Sequence, residues 1–491
     1  MQEYDDIVQS RGPCDALVVG SGPNGLAAAI TLLRAGRDVL LVEKKEIPGG
    51  CLSSEETTLP GFFHDTGSAI YPFALTSPFF RSLGGDMAGP SWLFPEASLA
   101  HPFDDGTATV IYRDLVKTMD GLQGDGLNYR RFLGPFAGRC CDLLGDILQP
   151  LHLLGHPCLF LSLGLRSTLP VSLLAPAVFS STQARAVLAG LGAHSILPLE
   201  HPLSSAFALV MAASCHSPGW PIARGGSGKI ADVLVQTLKE AGGSILTSMP
   251  VQTRDDFRNA NEVFLDLTPR QILSILGRHL PSRYRNALMR YRYGPGIFKV
   301  DWALKGPVPW KAPECLDTCT LHLGGTLEEI ALSEHQVWHG RHPEKPFVIF
   351  VQPSILDPSR APEGCHTAWA YCHVPNGSLL DMTGRIEQQV ERFAPGFHDQ
   401  ILASRSMNTR DLEVFNANLV GGDISGGAHD LRQFFTRPVA SLHPYALPIP
   451  GVYVCSSSTP PGAGVHGMCG YRAARFALER KSQERARWGS V

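Results

Sequence analysis

The chain has 491 residues, more than one hydrophobic core usually holds, so its length predicts two or three domains. Its net charge of -3, with lysines and arginines scattered along the chain, excludes a basic surface for nucleic acid. The 44% hydrophobic and 18% charged residues suit an enzyme with an apolar substrate. The 12 cysteines include no CxxC pair, so we predict neither a zinc site nor a redox dithiol, and no other metal-ligand spacing is apparent.

The N-terminal sequence MQEYDD is acidic and has no apolar core, so we expect neither a secretory signal nor a transit peptide. The most apolar stretch, residues 158–179, is interrupted by Arg166, Pro170 and Pro176. These interruptions argue against a membrane-spanning helix but allow shallow docking on a bilayer. We therefore expect a cytoplasmic protein or one with peripheral membrane contact.

The first predicted element is a βαβ unit. An apolar run at residues 16–19 ends at a glycine turn, a helical pattern continues to Gly36, and a second run, Val39–Val42, ends at Glu43. Glycines at this spacing permit the turn, backbone approach to a diphosphate and close helix packing, while the helix N-terminus attracts phosphate. The alternative is an ordinary glycine turn in an α/β protein. The expected nucleotide contacts are Gly20, Gly22, Pro23, Asn24, Gly25, Glu43 and Lys44.

A second glycine bend follows the acid. With it, residues 16–50 resemble the FAD domain shared by phytoene desaturases and flavin amine oxidases, and the resemblance implies contacts from Gly49 and Gly50. Many relatives next have an arginine that contacts the diphosphate, where this chain has Cys51. A disulfide reductase would need a CxxxxC pair here, but Glu56 stands at the second position, so that class is rejected.

The next segment, residues 61–68, resembles the aromatic-x-Asp-x-Gly phrase of this family, which approaches the flavin and implies a contact from Ser68. Asp65 within it has a turn cap as its alternative role. Residues 79–214 are rich in Leu, Ala and Pro with helical periodicity, and we predict substrate-domain helices there without a strand-rich unit.

The chain is then predicted to return to the nucleotide domain. Residues 220–230 lead into an amphipathic helix at 231–240 and a strand from 244, and they resemble the Pro-x-Gly-Gly segment of the family. The resemblance implies that Val251 contributes the backbone that contacts adenine, with a buried strand valine as the alternative. A further strand, residues 263–267, precedes the second crossing to the substrate domain.

The segment at residues 296–310 reads as a strand with Lys299 and Asp301 on one face. It resembles the strand of flavin amine oxidases that carries a lysine beside flavin N5, where the lysine holds a water and helps oxygen react. Lys299 is therefore the candidate catalytic residue. The alternative is a solvent-facing lysine at a sheet edge.

The closing segment is a strand at residues 451–455, a glycine loop at 456–467 and a helix. Only 24 residues follow Gly467, too few for a second nucleotide-binding unit, so this segment must complete the first domain. A glycine loop at a helix start suits the flavin pyrimidine ring, because aligned amides stabilise negative charge there. The loop resembles the C-terminal FAD signature of phytoene desaturase-like proteins, and this resemblance implies contacts from Gly464 and Val465.

Other residues near the C-terminus refine the resemblance. Together with this loop, residues 421–424 and 434–438 indicate the branch that includes the animal pyridine nucleotide-disulphide oxidoreductase domain protein 2. His466 departs from the family pattern, and we treat His466 and Asp423 as substrate-side candidates, with helix capping as the alternative for His466. No cysteine lies between Asp423 and Tyr453, where amine oxidases tether flavin, so FAD is expected to be noncovalent.

These observations predict an α/β protein with a discontinuous Rossmann-like FAD-binding domain at residues 12–78, 215–268 and 445–482. An α+β substrate-binding domain is predicted at 79–214 and 269–444. The resemblance implies an FAD-dependent oxidoreductase that takes a hydride from a hydrophobic, unsaturated small molecule, as a desaturase, dehydrogenase or redox-neutral isomerase. Two alternatives stay open, an amine-type oxidase that uses oxygen and a non-catalytic flavoprotein that acts as an interaction partner. The oligomeric state is also open.

Overall fold

The computed structural model describes residues 13–84, 91–149, 155–257 and 259–488. The expectations for the N-terminal leader concern residues 1–12, which lie outside these ranges. Within the described ranges the strands, in chain order, are β1 Cys14–Val19, β2 Val39–Val42, β3 Ser54–Glu55, β4 His64–Asp65, β5 Trp92–Leu93, β6 Ala97–Pro102, β7 Ala108–Tyr112, β8 Ile222–Ala223, β9 Ser244–Leu246, β10 Ala260–Leu265, β11 Gly296–Leu304, β12 Thr320–Leu323, β13 Val348–Val351, β14 His366–Val374, β15 Ile401–Met407 and β16 Val452–Val454.

The α-helices of the described ranges, in chain order, are α1 Pro23–Arg34, α2 Pro78–Leu83, α3 Leu115–Gly121, α4 Gly126–Ala137, α5 Cys140–Ile147, α6 Pro157–Arg166, α7 Val171–Val178, α8 Thr182–Ala193, α9 Ser204–His216, α10 Gly228–Glu240, α11 Pro269–Leu276, α12 Ser282–Met289, α13 Leu327–Trp338, α14 Thr383–Phe393, α15 Phe397–Gln400, α16 Thr409–Phe415 and α17 Met468–Trp488. None of them is both long and apolar enough to cross a membrane alone. Together α6 and α7 have the length and apolar composition of a membrane span, but the two helices are bent by 96°.

A five-stranded parallel sheet forms the first layer, in the order β16–β10–β1–β2–β9. All five strands fall within the three predicted segments of the nucleotide domain, and the fold is the predicted α/β Rossmann-like one. The strands β1, β2 and β16 are largely buried apolar runs, as expected for a parallel sheet that helices cover. Helix α1 packs against both α10 and the C-terminal helix α17, so the closing segment completes the first domain. The domain boundaries themselves stay predictions.

A seven-stranded mixed sheet forms the second layer, in the order β15–β11–β14–β13–β12–β6–β7. One face packs a core that includes Phe298, Val300 and Trp302 of β11. Because side chains alternate along a strand, Ile297 and Lys299 belong to the opposite face. That face lies toward the nucleotide layer and positions the site.

The prediction that residues 79–214 contain no strand-rich unit is wrong at one place. β6 and β7 form a hairpin there and join the seven-stranded sheet through β12. The hairpin turn contains Gly106 at positive φ and is closed by a hydrogen bond of 2.8 Å from Phe103 N to Thr107 O. Its strands contain Ala, Ser, His and Pro in place of a clear alternating pattern, so periodicity did not mark them. Apart from most of α2 and the two-residue strand β5, which pairs with β8, the rest of the segment contains the helices α3 to α9, as predicted.

Candidate functional site

A cavity of about 710 Å³ lies between the two sheets. Its volume is within the range of small-molecule and cofactor sites. One end is formed by the glycine turn after β1, and the other by the inner face of the seven-stranded sheet, including Lys299 and Trp369. Most of the predicted cofactor contacts line this one cavity: Gly20, Gly22, Pro23, Asn24, Glu43, Lys44, Gly50, Cys51, Ser68, Val251, Gly464 and Val465.

Two of the predicted contacts, Gly25 and Gly49, do not line the cavity. They support the glycine loop from the side away from the cavity. A Cβ on Gly25 would lie 1.9 Å from the carbonyl oxygen of Gly20, so helix α1 can start this close to the turn only with glycine there. Gly49 N donates a hydrogen bond of 3.0 Å to the hydroxyl of Ser21. Their contribution is therefore to the geometry of the loop.

Glu43 lies at the carboxyl end of β2, where the sequence predicts the ribose-binding acid. Its Oε2 accepts hydrogen bonds from Ser21 N at 2.8 Å and from Ser21 Oγ at 2.6 Å, and its Oε1 accepts from Lys45 N at 2.9 Å. These bonds fix the carboxylate against the glycine turn. A carboxylate has about four acceptor positions, so it can still accept a hydroxyl from a ligand.

Asp266 is a wall residue that the sequence analysis missed. It follows β10, and its Oδ2 accepts a hydrogen bond of 3.0 Å from Gly25 N and lies 2.6 Å from where a Cβ on Gly22 would be. Burial raises the pKa of Asp266 to about 7. The hydrogen bond from the Gly25 amide partly offsets this rise, and the negative charge of Glu43 adds to it. The signal that was available is its position directly after a strand of the nucleotide sheet, at the edge where ligands bind.

Val251 lies in an irregular segment after β9 and is half-buried on the cavity wall beside Met249, Pro250 and Gln252. The alternative of a buried strand valine is therefore wrong. At the other end of the chain, residues 463–465 line the cavity just before α17. Both segments therefore line the same cavity as the glycine turn.

His466 and Asp423, the substrate-side candidates, are both off the cavity wall. His466 Nδ1 accepts a hydrogen bond of 3.0 Å from Met468 N, which caps α17, and burial lowers its pKa to about 4. Asp423 accepts hydrogen bonds from Gly294 N at 2.8 Å and Ser425 N at 2.6 Å. Both side chains therefore hold backbone segments together, which corrects the expectation that they contact substrate.

Lys299 lies on β11 between β14 and β15, and only 2% of it is exposed. The alternative of a solvent-facing lysine at a sheet edge is therefore wrong. Its ammonium forms an ion pair with Asp301 and lies 5.1 Å from the ring centroid of Trp369 on the cavity wall. Burial raises the pKa of Asp301, and the nearby Lys299 charge opposes that shift.

Asp65 is buried outside the cavity wall, and it anchors the segment that carries Ser68. It accepts hydrogen bonds from Ser227 N at 2.8 Å and Ser54 Oγ at 2.7 Å, and it forms a buried ion pair with Arg360. Residues 66–69, which follow it, line the cavity. Asp65 is therefore a positioning residue that fixes the wall through its neighbours.

The end of the cavity near the seven-stranded sheet is largely apolar and aromatic. Trp369 and Tyr371 stack there with their centroids 6.1 Å apart and their planes at 13°. Helix α9 covers the opposite side. The apolar and aromatic wall residues at this end are Ile70, Tyr71, Phe73, Ile196, Phe207, Met211, Trp220, Ile297, Ile349, Val351, Trp369, Tyr371 and Ile424.

Two histidines that the sequence analysis missed also line this end. His194 lies 2.8 Å from His322, measured between their Nε2 atoms, and the Nδ1 of His429 lies 3.2 Å from the carbonyl oxygen of Ser195. Burial lowers the pKa of both wall histidines to about 3, so both are neutral near pH 7. Isolated histidines in a sequence give no signal that could have identified them.

Buried polar atoms without a hydrogen-bond partner test whether the end of the cavity near the glycine turn fits a dinucleotide. Asn24 Oδ1, Thr66 Oγ1 and Ser68 Oγ are buried side-chain atoms of wall residues, and none has a hydrogen-bond partner in the described part of the chain. Buried polar atoms normally have a hydrogen-bond partner. The three atoms without one therefore fit a polar ligand that would supply their hydrogen bonds. Of the described cysteines only Cys51 lines the cavity, and burial raises its pKa to about 11, which keeps it a thiol.

Comparisons with known proteins agree with this geometry. A family model described as NAD(P)-binding Rossmann-like domain matches residues 18–82. Pyridine nucleotide-disulfide oxidoreductase domain-containing protein 2 of Rattus norvegicus is 26% identical over 94% of this chain and 93% of its own length. The lycopene-forming phytoene desaturase of Paracoccus is 23% identical, over 93% of this chain and 95% of its own. A structure of putrescine oxidase bound to putrescine shares the fold, with a TM-score of 0.59 and 16% identity over 96% of this chain and 99% of its own.

Proposed function

We propose that this chain, an oxidoreductase homologous to the phytoene desaturases and to pyridine nucleotide-disulfide oxidoreductase domain-containing protein 2, binds FAD noncovalently and oxidises an apolar, unsaturated substrate. The observation that carries the proposal is one cavity that joins the glycine loop after β1 to a largely apolar end on the seven-stranded sheet. A cofactor and an apolar molecule in this cavity would therefore be in contact.

The residues that would hold FAD follow from the cavity wall. The glycine loop and the N-terminus of α1 would bind the diphosphate, and Glu43 would accept the ribose hydroxyls. Val251 would support adenine, and residues 463–465 would lie against the pyrimidine end of the flavin. When bound, FAD supplies an acceptor for a hydride.

The protein residues would orient the substrate and exclude water. The aromatic pair Trp369 and Tyr371 with the aliphatic Ile349 and Val351 provides an apolar floor, and Phe207 covers it from α9. Removal of hydrogen to form a double bond also releases a proton. His429 lines this end as a neutral imidazole, but with its pKa lowered to about 3 it is too weak a base to keep the proton, which therefore passes to water.

An anaerobic screen tests the proposed reaction. The purified flavoprotein is mixed with polyenes, unsaturated fatty acids and amines, and the flavin absorbance is followed. We expect bleaching by a polyene or an unsaturated lipid and none by amines. If only amines bleach the flavin, the desaturase proposal is wrong, and if nothing does, the non-catalytic alternative is favoured.

A second candidate function is an amine-type oxidase, and the burial of Lys299 on the cavity wall favours it. Replacing Lys299 by methionine alone would leave Asp301 without its partner, which we expect to destabilise the fold by about 3–5 kcal/mol. The double variant Lys299→Met/Asp301→Asn removes both charges and is expected to recover most of that loss. Denaturant unfolding of both variants measures the difference.

The same double variant tests the role of the lysine in oxygen chemistry. The chemically reduced flavin is mixed with oxygen in a stopped-flow instrument, and its reoxidation rate is compared with that of the unmodified protein. An oxidase that uses Lys299 predicts much slower reoxidation in the variant. An unchanged rate would remove the lysine as a reason to favour the oxidase.

A further inference from the structure

Helices α6 and α7 form a bent pair whose outer side is apolar and exposed. Leu161 and Leu165 on α6 are 63% and 64% exposed, and Leu173 on α7 is 59% exposed. Phe160 and Leu169 lie exposed beside them. Single exposed leucines are common on protein surfaces, but five large apolar side chains on one bent pair form a patch that indicates an interaction surface.

The charges around this patch favour an anionic lipid surface. Arg166 is the only charged residue in the sequence from 155 to 177, counting lysine, arginine, aspartate and glutamate. Its guanidinium lies 5.5 Å from the ring of Phe136 on α4, a helix that also carries the exposed residues Arg130 and Arg131. The rim next to the patch is therefore basic.

The two acidic residues of α5, the helix that packs against α6, do not cancel this rim, because each has a local partner. Asp142 pairs with Arg139 at 3.0 Å. Asp146 is buried and accepts hydrogen bonds of 2.9 Å from the backbone nitrogens of Gly155 and His156. His156 also lies 3.6 Å from both carboxylates.

The dimensions of the pair fit the interface and not a crossing. Helix α6 has 10 residues, a length of about 15 Å, against about 30 Å for the hydrocarbon core of a bilayer. The 96° bend turns α7 away from the axis of α6. A pair of short helices with one exposed apolar side can lie in the plane of the membrane surface, with that side in the interface.

The patch is also connected to the cavity. Val171 N at the start of α7 donates a hydrogen bond of 3.1 Å to Ser204 Oγ, and the Ser205 hydroxyl donates to Leu169 O. Both serines begin α9, which also carries Phe207 and Met211 on the cavity wall. A single helix thus links the exposed pair to the apolar end of the cavity.

We propose that α6 and α7 dock on the surface of a lipid bilayer, with their leucines in the interface and the basic rim against anionic headgroups. This docking brings the α9 wall of the cavity close to the membrane. The proposal concerns a surface, and it holds whichever reaction the cavity performs.

Vesicle flotation of the purified 491-residue flavoprotein tests the docking. Vesicles of phosphatidylcholine are compared with vesicles that also contain about 30% phosphatidylglycerol. We expect binding to both and tighter binding to the anionic vesicles. The variant Leu161→Glu/Leu165→Glu is expected to weaken both by at least about tenfold. The variant Arg130→Gln/Arg131→Gln should lose about tenfold on the anionic vesicles only.

The matched control is Leu379→Glu/Leu380→Glu, an exposed leucine pair after β14, which should bind like the unmodified protein. Equal flavin content in all variants confirms that they are folded. The proposal fails if the unmodified protein does not float, or if Leu161→Glu/Leu165→Glu floats as well as the control. A dimer in vesicle-free buffer that this variant alone converts to monomer would assign the patch to a second copy and overturn lipid docking.

Discussion

Replacing Gly25 by alanine is expected to weaken FAD binding at least about hundredfold and to destabilise the fold by about 1–3 kcal/mol. The added Cβ would lie 1.9 Å from the carbonyl oxygen of Gly20, a backbone atom that cannot rotate away. The turn and the start of α1 must separate, which also breaks the hydrogen bond from Gly25 N to Asp266. Flavin content after purification and denaturant unfolding of the apoprotein measure the two effects.

The matched control for this variant is Gly121→Ala. Gly121 ends α3, and a Cβ there would meet no atom within 4 Å. We expect the control to keep its flavin and its free energy of unfolding. A Gly25→Ala protein that purifies with a full complement of flavin and unfolds at the same denaturant concentration as the unmodified chain would contradict this role of Gly25.

Above pH 7, FAD binding is expected to weaken by about tenfold per pH unit, and Asp266→Asn is expected to remove that dependence. The carboxyl of Asp266, with its pKa raised to about 7, lines the cavity beside the loop that would bind the diphosphate. An anionic diphosphate disfavours the ionised carboxylate and raises this pKa further. Binding therefore takes up a proton above pH 7 and none below it, so affinity is flat at lower pH and falls as pH rises.

Titration of apoprotein with FAD, followed by quenching of flavin fluorescence from about pH 6 to about pH 9, measures this linkage. Asparagine keeps the acceptor for Gly25 N, so the loop geometry is preserved. The control Asp423→Asn changes another buried aspartate that accepts backbone amides away from the cavity, and it should keep the slope. A flat profile in the unmodified protein, or a slope that survives Asp266→Asn, would show that this carboxyl stays in one protonation state.

The sequence predicts the nucleotide layer well because its signals are local. The run that becomes β1, the glycine turn and Val39–Val42 are adjacent in the chain, so periodicity and glycine spacing define them together. The hairpin of β6 and β7 could not be predicted in this way. Its strands lack a clear alternating pattern, and its place in the sheet depends on β12, which lies about 200 residues later in the chain.

The candidate site also contains both residues that the sequence predicts and residues that it does not. The glycine contacts and Glu43 follow from one motif, whereas the burial of Lys299 depends on β14 and β15 pairing on either side of β11. Asp266 could have been found from its position at the end of a parallel strand. His194 and His429 could not, because tertiary packing alone brings these residues from distant segments to one wall.

The central claim is that this cavity holds FAD without a covalent bond. Acid precipitation of the purified protein, followed by identification and quantification of the flavin in the supernatant, tests it most directly. We predict one FAD per chain in the supernatant and none in the pellet. Flavin that remains with the precipitated protein, or a colourless protein whose apo form does not bind added FAD, would contradict the account.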